Sequence, residues 1–598
     1  MSSVVQSNVA LPAATAPAGG EQRRIQTTEF HETVWGDHFL TTTPAAAQAQ
    51  AQAHDEMYPS YPFQGHPVPD LEIGEYEALK EEVRRMVTGE VDDDDDEAII
   101  RKLRLMDTIQ RLGVEYHFQM EIEEALQNVY VQGGEFFFEK YDDIDLCNAA
   151  LWFRLLRQQG FRVSTDGFRR FKDDGGKFKE SLASDAQGLL SLYEASHVAI
   201  HGEDILDEAR GFTTKNLKLL VQDHKTSSLL KKQIEFSLDL PIWKCVPRTI
   251  TRHCIEVYSE SDQQAMTHNE AIILKFAKLD FNFVQRVHRE ELRELSMWWA
   301  SLDTKTKFPY AKDRLAETYF WINTVYHEPR YSVGRSILTK CGVVSVLLDD
   351  VYDNFGNYDE LEMLTEAIQR MDISALDELP ATMKEAYRIV IVNLFEEIEQ
   401  AISGTGPTYG VDYCKREFKR MCRSFLGEAR WRTEGHVPKL EEYLTHANIT
   451  GGYFFLCPSA YLGMEPELAT PEAFEWVADV TNKMVMASTS ICRVQNDIMS
   501  YPFEQMRSHV ASAVQCYMQE HGVSEEESTK AMWERISDAW KDMTEVFQKP
   551  TPLPRALLLP VINFARTISV IYLKADAYTH PQFLRERIAD LFVNPVPL

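Results

Sequence analysis

Three carboxylates stand within five residues near the middle of the chain. Asp349, Asp350 and Asp353 follow the mainly aliphatic run 341–348. On a helix, Asp349 and Asp353 project from the same face about one turn apart. Two desolvated carboxylates repel each other unless a cation compensates, and such oxygen ligands suit Mg²⁺ or Mn²⁺ that also bind substrate phosphates. Asn354–Gly356 is typical of a helix stop, so we expect the acids at the mouth of a helical bundle.

The same spacing of acids occurs once more, within the acidic tract 90–97. No apolar run precedes that tract, so we interpret it as a solvated, flexible loop. With 92 acidic residues in the chain, a solvated surface helix end remains an alternative for Asp349–Asp353 when that stretch is considered alone.

A second polar stripe lies near the end of a largely apolar helix predicted over 478–501. Asn496, Ser500 and Glu504 are spaced i, i+4 and i+8, so their oxygens can share one face and chelate a further hard cation. Pro502 is expected to kink or end this helix, which leaves the place of Glu504 open. The alternative is a capped, solvated helix end. Two oxygen stripes, each at the end of an apolar helix, favour a metal-dependent site.

Composition limits the class of protein. The chain has 598 residues, 44% of them hydrophobic, which allows two or more folded domains. A formal net charge of -30 argues against nucleic acid or an anionic membrane as partner, so local cations or a metal must meet any polyanionic substrate. No apolar run approaches the roughly 18 residues of a membrane span. Nine scattered cysteines without C-x-x-C spacing are typical of reduced thiols in an intracellular protein.

Helical periodicity is pervasive and strand signals are scarce, so we predict an all-α fold with two helical domains. Residues 1–30 are rich in Ala, Pro, Gly and Ser and are predicted to be disordered. Breaks at Leu240-Pro241 and Val246-Pro247 indicate a junction around 250–265, which divides 31–260 from 261–598. The predicted helices include 75–87, 98–112, 119–131, 189–200, 270–287, 290–301, 384–402, 474–501 and 561–573, the last beginning after Pro560.

The two motifs together resemble those of the plant class I terpene synthases, which carry D-D-x-x-D on one helix and N/D-D-x-x-S/T-x-x-x-E on the facing helix. Further stretches are similar to the same family and occur in the same order. The resemblance covers nearly the whole chain from about residue 30. The similar stretches are Val34–Asp37, Phe276–Asn282, Tyr319–Trp321 and Asp576–Pro581.

The resemblance implies a C-terminal domain with the class I terpenoid synthase fold, which is catalytic, and an α-barrel-like N-terminal helical domain, which is not. It also implies three Mg²⁺ ions, with Mn²⁺ as a possible substitute, on the diphosphate of a prenyl substrate. Two ions would be ligated by the acid motif and the third by the second stripe. The implied metal ligands are Asp349, Asp353, Asn496, Ser500 and Glu504, with Asp350 and Asp497 behind them.

The resemblance also implies cations that bind the diphosphate. Arg493, one turn before Asn496, would donate to it. Where the family usually has Arg-x-Arg, this chain has Lys312-Asp313-Arg314. Lysine lacks the bidentate fork of arginine, so Arg314 is the better candidate of this pair for substrate binding.

A carbocation formed in such a reaction needs an aromatic cavity that excludes water. We predict Trp321 first among the cavity residues, then Tyr572 and Tyr578, with Asp576 in the same C-terminal stretch. The break at Thr450–Gly452 either exposes backbone carbonyls to the cation or reflects close helix packing.

The predicted function is a Mg²⁺-dependent sesquiterpene synthase that converts farnesyl diphosphate into a C15 hydrocarbon or alcohol. Ten residues separate Arg24 from Trp35, unlike the spacing in plastidial monoterpene synthases, and with the short leader this favours a cytosolic enzyme, expected to be a monomer. The alternatives are a plastidial monoterpene synthase acting on geranyl diphosphate and a non-catalytic helical scaffold. A chain-elongating prenyltransferase is disfavoured because the second motif is Asn/Ser/Glu.

Overall fold

The computed structural model describes residues 33–41, 70–89, 96–133, 143–261, 266–504 and 511–598. Within these ranges the regular elements are helices, and the β pairing is limited to an isolated bridge between Lys172 and Phe178. The predicted all-α class is therefore confirmed. The segment 1–30, predicted to be disordered, and residues 91–95 of the acidic tract lie outside the described residues.

The described part of the N-terminal half is a succession of helices and 3₁₀ turns. In the described ranges they are α1 (His38–Thr41), α2 (Asp70–Thr88), α3 (Asp96–Arg111), α4 (Gln119–Gly133), α5 (Leu146–Gln158), α6 (Ala186–Ser196), α7 (Asp204–Gln222), α8 (Ser228–Asp239) and α9 (Pro247–Glu260). The 3₁₀ turns are Glu115–His117, Asp166–Phe171, Glu180–Ser184 and Ile242–Lys244.

The C-terminal half contains the longer helices and both motifs. Its described helices are α10 (His268–Ser301), α11 (Thr304–Lys307), α12 (Leu315–Val325), α13 (Ser332–Asn354), α14 (Tyr358–Arg370), α15 (Ala381–Arg388), α16 (Glu397–Ala401), α17 (Gly410–Glu434), α18 (Leu440–Thr450), α19 (Tyr453–Tyr461), α20 (Pro471–Val477), α21 (Lys483–Glu504), α22 (Ala513–His521), α23 (Glu525–Val546), α24 (Arg555–Ile571) and α25 (Arg585–Phe592). A π-helical stretch, Ile389–Glu396, joins α15 to α16, and 3₁₀ turns lie at Pro329–Tyr331, Ile373–Asp377 and Pro581–Phe583.

Some predicted helix boundaries were wrong. The predicted helices 270–287 and 290–301 form the single helix α10, whose start is stabilised by a capping box between Thr267 and Glu270. The predicted helix 474–501 is divided into α20 and α21, because polar side chains in the connection bind backbone amides that a continuous helix would use. Asn482 accepts from the amide of Met484 at 2.9 Å and thereby starts α21.

Two prolines are also placed differently from the prediction. Pro560 lies inside α24, which begins five residues earlier with Pro554 as its N-cap, so Pro560 does not start the helix. Pro502 lies inside α21 and does not end it, since the helix continues to Glu504. The second polar stripe therefore stays on one helix over its whole backbone.

The two motif helices belong to the same bundle. α13 packs against α12, α17 and α19, while α21 packs against α18, α19 and α24. α19 therefore contacts both motif helices. At the other end of the bundle, α1 and α2 pack against α10, so the N-terminal helices contact the C-terminal half. α9 ends at Glu260 and α10 begins at His268, and where the domains divide stays a prediction.

One helical stretch among the described residues, Pro329–Asn354, is long and apolar enough by length and composition to cross a membrane. The prediction that no apolar stretch approaches the length of a membrane span was therefore wrong by this criterion. Of its most apolar window, 78% is buried inside the protein. Its apolar side chains thus form part of the core around the acid motif.

Candidate active site

The end of α13 positions the acid motif. The helix ends at Asn354, as predicted, and the amide of Gly356 donates to the carbonyl of Val351 at 3.0 Å. A Cβ at Gly356 would lie 2.4 Å from a methyl carbon of Leu361, so the tight turn requires glycine here.

Arg432 on α17 stabilises this helix end and was not predicted. It donates to the carbonyls of Tyr352 at 2.7 Å and Asp353 at 2.8 Å, which are among the last carbonyls of the helix and lack helical partners. It also lies 3.3 Å from Oδ1 of Asp353. Arg432 therefore both caps α13 and orients one of the predicted metal ligands.

Asp349 and Asp353 form an electrostatically strained pair. Burial, to which the charge of Asp353 adds and which Lys312 opposes, raises the pKa of Asp349 to about 7. Among the described residues, no three His, Cys, Asp or Glu side chains gather into a metal site. The chain thus offers a carboxylate pair, which is the donor set that Mg²⁺ takes when substrate phosphates and waters supply its other ligands. These residues fit a divalent cation shared with a substrate.

Asp350 is fully buried and is neutralised by Lys312. The Lys312 ammonium lies 2.5 Å from one carboxylate oxygen of Asp350, and its backbone amide donates to the other at 2.7 Å. Burial raises the pKa of Asp350, and the contacts with Lys312 oppose that rise. The pair places an ammonium group within electrostatic reach of Asp349 and Asp353, whose charges raise the pKa of Lys312. Direct binding of a diphosphate by Lys312 stays a prediction.

The second stripe begins beside Arg493. Arg493 donates to Oδ1 of Asn496 at 3.2 Å and to the carbonyl of Ala447 at 3.2 Å, which joins α21 to α18. Ser500 is 5% exposed. The backbone of Glu504 lies on the same helix, and its side chain is outside the described residues.

Asp497 lies next to Asn496 and ties three helices together. It accepts from the hydroxyl of Tyr443 on α18 at 2.8 Å and from the amide of Ala513 on α22 at 2.7 Å. Its other oxygen lies 3.4 Å from Arg493. These contacts agree with a supporting role behind the metal ligands, which stays a prediction.

Glu428 on α17 links the two motifs and was missed by the sequence analysis. It accepts from the hydroxyl of Thr450 at 2.8 Å, and that hydroxyl also accepts from Arg493 at 3.5 Å. Burial raises the pKa of Glu428 to about 8, with Arg493 opposing and the charges of Asp353 and Asp349 adding to the rise. Glu428 is thus within electrostatic range of Arg493 beside the second stripe and of the two acids of the first motif. This agrees with two motifs that face one site. Charged residues are frequent along α17, so no spacing distinguishes Glu428 in the sequence.

The predicted cavity residues Trp321 and Tyr578 pack together. Trp321 packs edge-to-face against Tyr578, with ring centroids 5.6 Å apart, and against Tyr453, at 6.2 Å. Tyr578 and Thr318 share a hydrogen bond between their hydroxyls at 2.8 Å. Tyr572 is buried, and its carbonyl accepts from Gln495 on α21 at 3.2 Å. Tyr453 was not predicted, although it directly follows the predicted break at Gly452.

Arg314 and Asp576 build the turn that holds Tyr578. Buried Arg314 donates to the carbonyls of Tyr578 at 2.9 Å and Thr579 at 3.0 Å. Asp576 accepts from the amides of the same two residues, at 3.1 and 2.9 Å. Both predicted residues therefore position Tyr578, whose place in a substrate cavity stays a prediction. Binding of a diphosphate by Arg314 stays a prediction.

The break at Thr450–Gly452 separates α18 from α19. Gly452 has φ +83°, a conformation that favours glycine, and its carbonyl accepts from the amides of Phe455 and Leu456. That carbonyl thus belongs to the first turn of α19. A Cβ at Gly451 would lie 3.3 Å from the hydroxyl oxygen of Thr489, so Gly451 allows close approach to α21.

Glu317 is a second buried carboxyl that the sequence analysis missed. It stands on α12, one turn before Trp321, and neither of its oxygens has a hydrogen-bond partner from another described residue. Burial raises the pKa of Glu317 to about 7, which nearby Arg314 only partly opposes. An isolated glutamate in a helix gives no sequence signal for such burial.

Comparisons with known proteins agree with this geometry. The family described as "Terpene synthase, N-terminal domain" matches residues 34–238, and "Terpene synthase family, metal binding domain" matches residues 300–542. The chain is 42% identical over 575 residues to sesquiterpene synthase 2 of Toona sinensis, covering 95% of this chain and 96% of that protein. It is 42% identical over 570 residues to (-)-germacrene D synthase of Vitis vinifera, covering 95% of each.

A solved structure shows the same fold with metal bound. Isoprene synthase from grey poplar leaves (Populus x canescens), in complex with three Mg²⁺ ions and dimethylallyl-S-thiolodiphosphate, superposes with a TM-score of 0.81. The two chains are 32% identical, and the alignment covers 88% of this chain and 98% of the poplar chain. The matched metal-binding domain contains both predicted motifs. The chain therefore belongs to the terpene synthase family, whose members depend on divalent metal and bind prenyl diphosphates.

Proposed function

We propose that this protein is a Mg²⁺-dependent sesquiterpene synthase that ionises and cyclises farnesyl diphosphate to a C15 terpene hydrocarbon or alcohol, with release of diphosphate. The observation that carries the proposal is the mutually repelling carboxylate pair Asp349 and Asp353, which lies within electrostatic range of Arg493 and Glu428. The relatives named for sesquiterpene synthesis, at 42% identity over 95% of the chain, support the C15 substrate.

The described oxygen ligands divide between the two motif helices. Asp349 and Asp353 would hold cations on α13, and Asn496 with Ser500 would hold one on α21, together with Glu504. By analogy with the poplar enzyme we propose three Mg²⁺ ions, with Mn²⁺ as a substitute. When bound, the cations stabilise the charge that develops on the leaving diphosphate.

The remaining residues orient the substrate and protect the carbocation. Lys312 and Arg493 both act electrostatically on Asp349, and they would donate charge-assisted hydrogen bonds to a diphosphate bound there. Trp321, Tyr453 and Tyr578 present aromatic rings that stabilise positive charge and exclude water. Arg314 keeps Tyr578 against Trp321 through its backbone contacts.

The test is to incubate the purified protein with farnesyl or geranyl diphosphate, in Mg²⁺, Mn²⁺ or EDTA, and to analyse extracts by gas chromatography–mass spectrometry. We expect C15 products with either metal and none with EDTA. Products from geranyl diphosphate alone would replace the proposal with a monoterpene synthase. Absence of turnover with both substrates would favour the non-catalytic scaffold. A monomeric state and a cytosolic location are part of the proposal and are tested by light scattering and cell fractionation.

A further inference from the structure

A second cavity lies where the N-terminal helices meet the C-terminal half. It has a volume of about 380 Å³, which is in the range of small-molecule sites. Its lining includes residues of α3, α4 and α5 on one side and of α24 and the segment 325–331 on the other. None of the described acid-motif or second-stripe residues lines it. This interdomain cavity is therefore separate from the candidate active site.

Two arginines of α24 line the interdomain cavity, and no described carboxylate pairs with either of them. Arg566 is 8% exposed and donates to the carbonyl of Trp243 at 2.8 Å and to Asn563 at 2.9 Å. Arg555 donates to the carbonyl of Gln158 at 2.5 Å. Burial lowers the pKa of each arginine to about 10. Each guanidinium keeps at least one nitrogen without a protein acceptor among the described residues.

None of the described acids around the cavity forms an ion pair with Arg555 or Arg566. Glu115 acts electrostatically on both arginines, and burial raises its pKa to about 8 although Arg555 and Arg566 oppose that rise. Its carboxylate forms no hydrogen bond in the described structure. The other acids of the lining are engaged by different cations: Asp107 by Arg111 and Arg154, Glu123 by Lys549, and Glu328 by Arg330.

Two further residues of the lining, Tyr326 and His327, are 4% and 9% exposed. The hydroxyl of Tyr326 and Nε2 of His327 have no hydrogen-bond partner among the described residues, but both atoms are themselves shielded from water, so they do not face the open cavity. Five arginines and four carboxylates line the cavity, which leaves a net positive lining in a chain whose net charge is -30.

We propose that the interdomain cavity binds a small phosphate-bearing anion through Arg555 and Arg566. The planar guanidinium donates paired, charge-assisted hydrogen bonds to phosphate oxygens, and buried arginine is well suited to that role. Binding at this site needs no divalent cation, and it does not depend on the proposed function.

The test is equilibrium dialysis of ³²P-labelled phosphate and diphosphate against the full-length protein in EDTA, with chloride keeping the ionic strength constant. We expect saturable binding to one site, unchanged by Asp349→Asn in the candidate active site. Arg555→Gln should weaken binding at least about tenfold, because it removes charge-assisted hydrogen bonds. The tighter of the two probes identifies which phosphate species the site prefers.

The matched control is Arg252→Gln. Arg252 also joins the two halves, by donating to the carbonyls of Asn594 at 2.7 Å and Asp590 at 3.3 Å, but it does not line the cavity. The Arg252→Gln variant should therefore bind phosphate as tightly as the parent protein. If Arg555→Gln does not fold, Arg555→Lys is used instead. It keeps the positive charge but loses the planar guanidinium, so it should bind phosphate several-fold more weakly than the parent protein. The proposal is overturned if the parent protein shows no saturable binding, if Arg252→Gln loses as much as the Arg555 variant, or if Asp349→Asn abolishes binding.

Discussion

The acid motif and the interdomain cavity are partly buried charge clusters of opposite sign. At the end of α13, burial and mutual repulsion raise the pKa of Asp349 to about 7. At the start of α24, burial lowers the pKa of Arg555 to about 10. In both places the chain supplies too little opposite charge, and this deficit indicates a ligand of the missing sign. Only the first cluster has a sequence motif, because its acids lie one helical turn apart, whereas Arg555 and Arg566 lie about three turns apart on α24.

The largest expected effect is on the acid motif. Asp353→Asn should lower turnover of farnesyl diphosphate roughly 10³-fold, because the amide cannot balance a cation that stabilises the leaving group. Product formation is measured by gas chromatography–mass spectrometry in Mg²⁺. The control is Asp359→Asn, an exposed aspartate at the start of α14, which should retain activity. Equal turnover in both variants would show that Asp353 is not a metal ligand. Phosphate binding in EDTA, which reports on the interdomain cavity, should be the same in the parent protein and both variants.

The ion pair between Lys312 and Asp350 differs from both clusters, because its buried carboxylate is neutralised within the chain. Lys312→Met leaves the fully buried Asp350 without its ammonium, and we expect a loss of about 3 kcal/mol in the free energy of unfolding, measured by urea denaturation. Lys305→Met is the control, because Lys305 is 69% exposed and lies 3.7 Å from Asp313, so it should change stability little. Similar losses in the two variants would show that Asp350 is not held by Lys312.

Glu317 tests whether a buried carboxyl without partners costs stability. Its pKa in the folded protein, about 7, lies above that in the unfolded chain, so the parent protein loses stability as pH rises towards 7 and ionisation opposes folding above that. Glu317→Gln removes the titration and should be on the order of 2 kcal/mol more stabilising at pH 8 than at pH 5. Urea denaturation at both pH values measures this. The exposed Glu362→Gln should show no such difference, and a pH-independent effect of Glu317→Gln would refute the burial argument.

The smallest expected effect concerns Glu115 in the interdomain cavity. Arg555, Arg566 and Glu328 are the charged groups that act on it, and its pKa is raised to about 8. Above that pH its negative charge opposes an anion, so Glu115→Gln should bind phosphate a few-fold more tightly than the parent at pH 8.5 and equally at pH 6.5. The ratio of affinities from dialysis at each pH cancels the titration of phosphate itself. A ratio that does not change with pH would place Glu115 outside the anion site.

Local features were the most predictable part of the fold. The end of α13 at Asn354 follows from an apolar run that meets a helix stop, and both signals lie within a few residues. Boundaries failed where a side chain such as Asn482 bound a backbone amide, or where Pro502 and Pro560 were tolerated inside helices held by their neighbours. Tertiary packing overrides local preference in such places.

The candidate site was likewise predictable only where it depends on local spacing. The residues at i, i+4 positions on α13 and α21 could be selected because their spacing is a property of a single helix. Arg432, Glu428 and Tyr453 could not, since each contacts residues far away in the chain. The backbone contacts of Arg314 also join residues more than 260 positions apart.

The amino-acid sequence by itself determined the helical class, the two oxygen stripes and membership of the family, because periodicity and motif spacing are local and survive without the folded structure. The tertiary structure alone decided which charges are buried and which of them are neutralised. Burial sets the ionisation of Asp349, Glu317 and Glu115 and depends on every element packed around them. For the same reason the interdomain cavity, assembled from α3, α24 and the segment between α12 and α13, has no signature in the sequence.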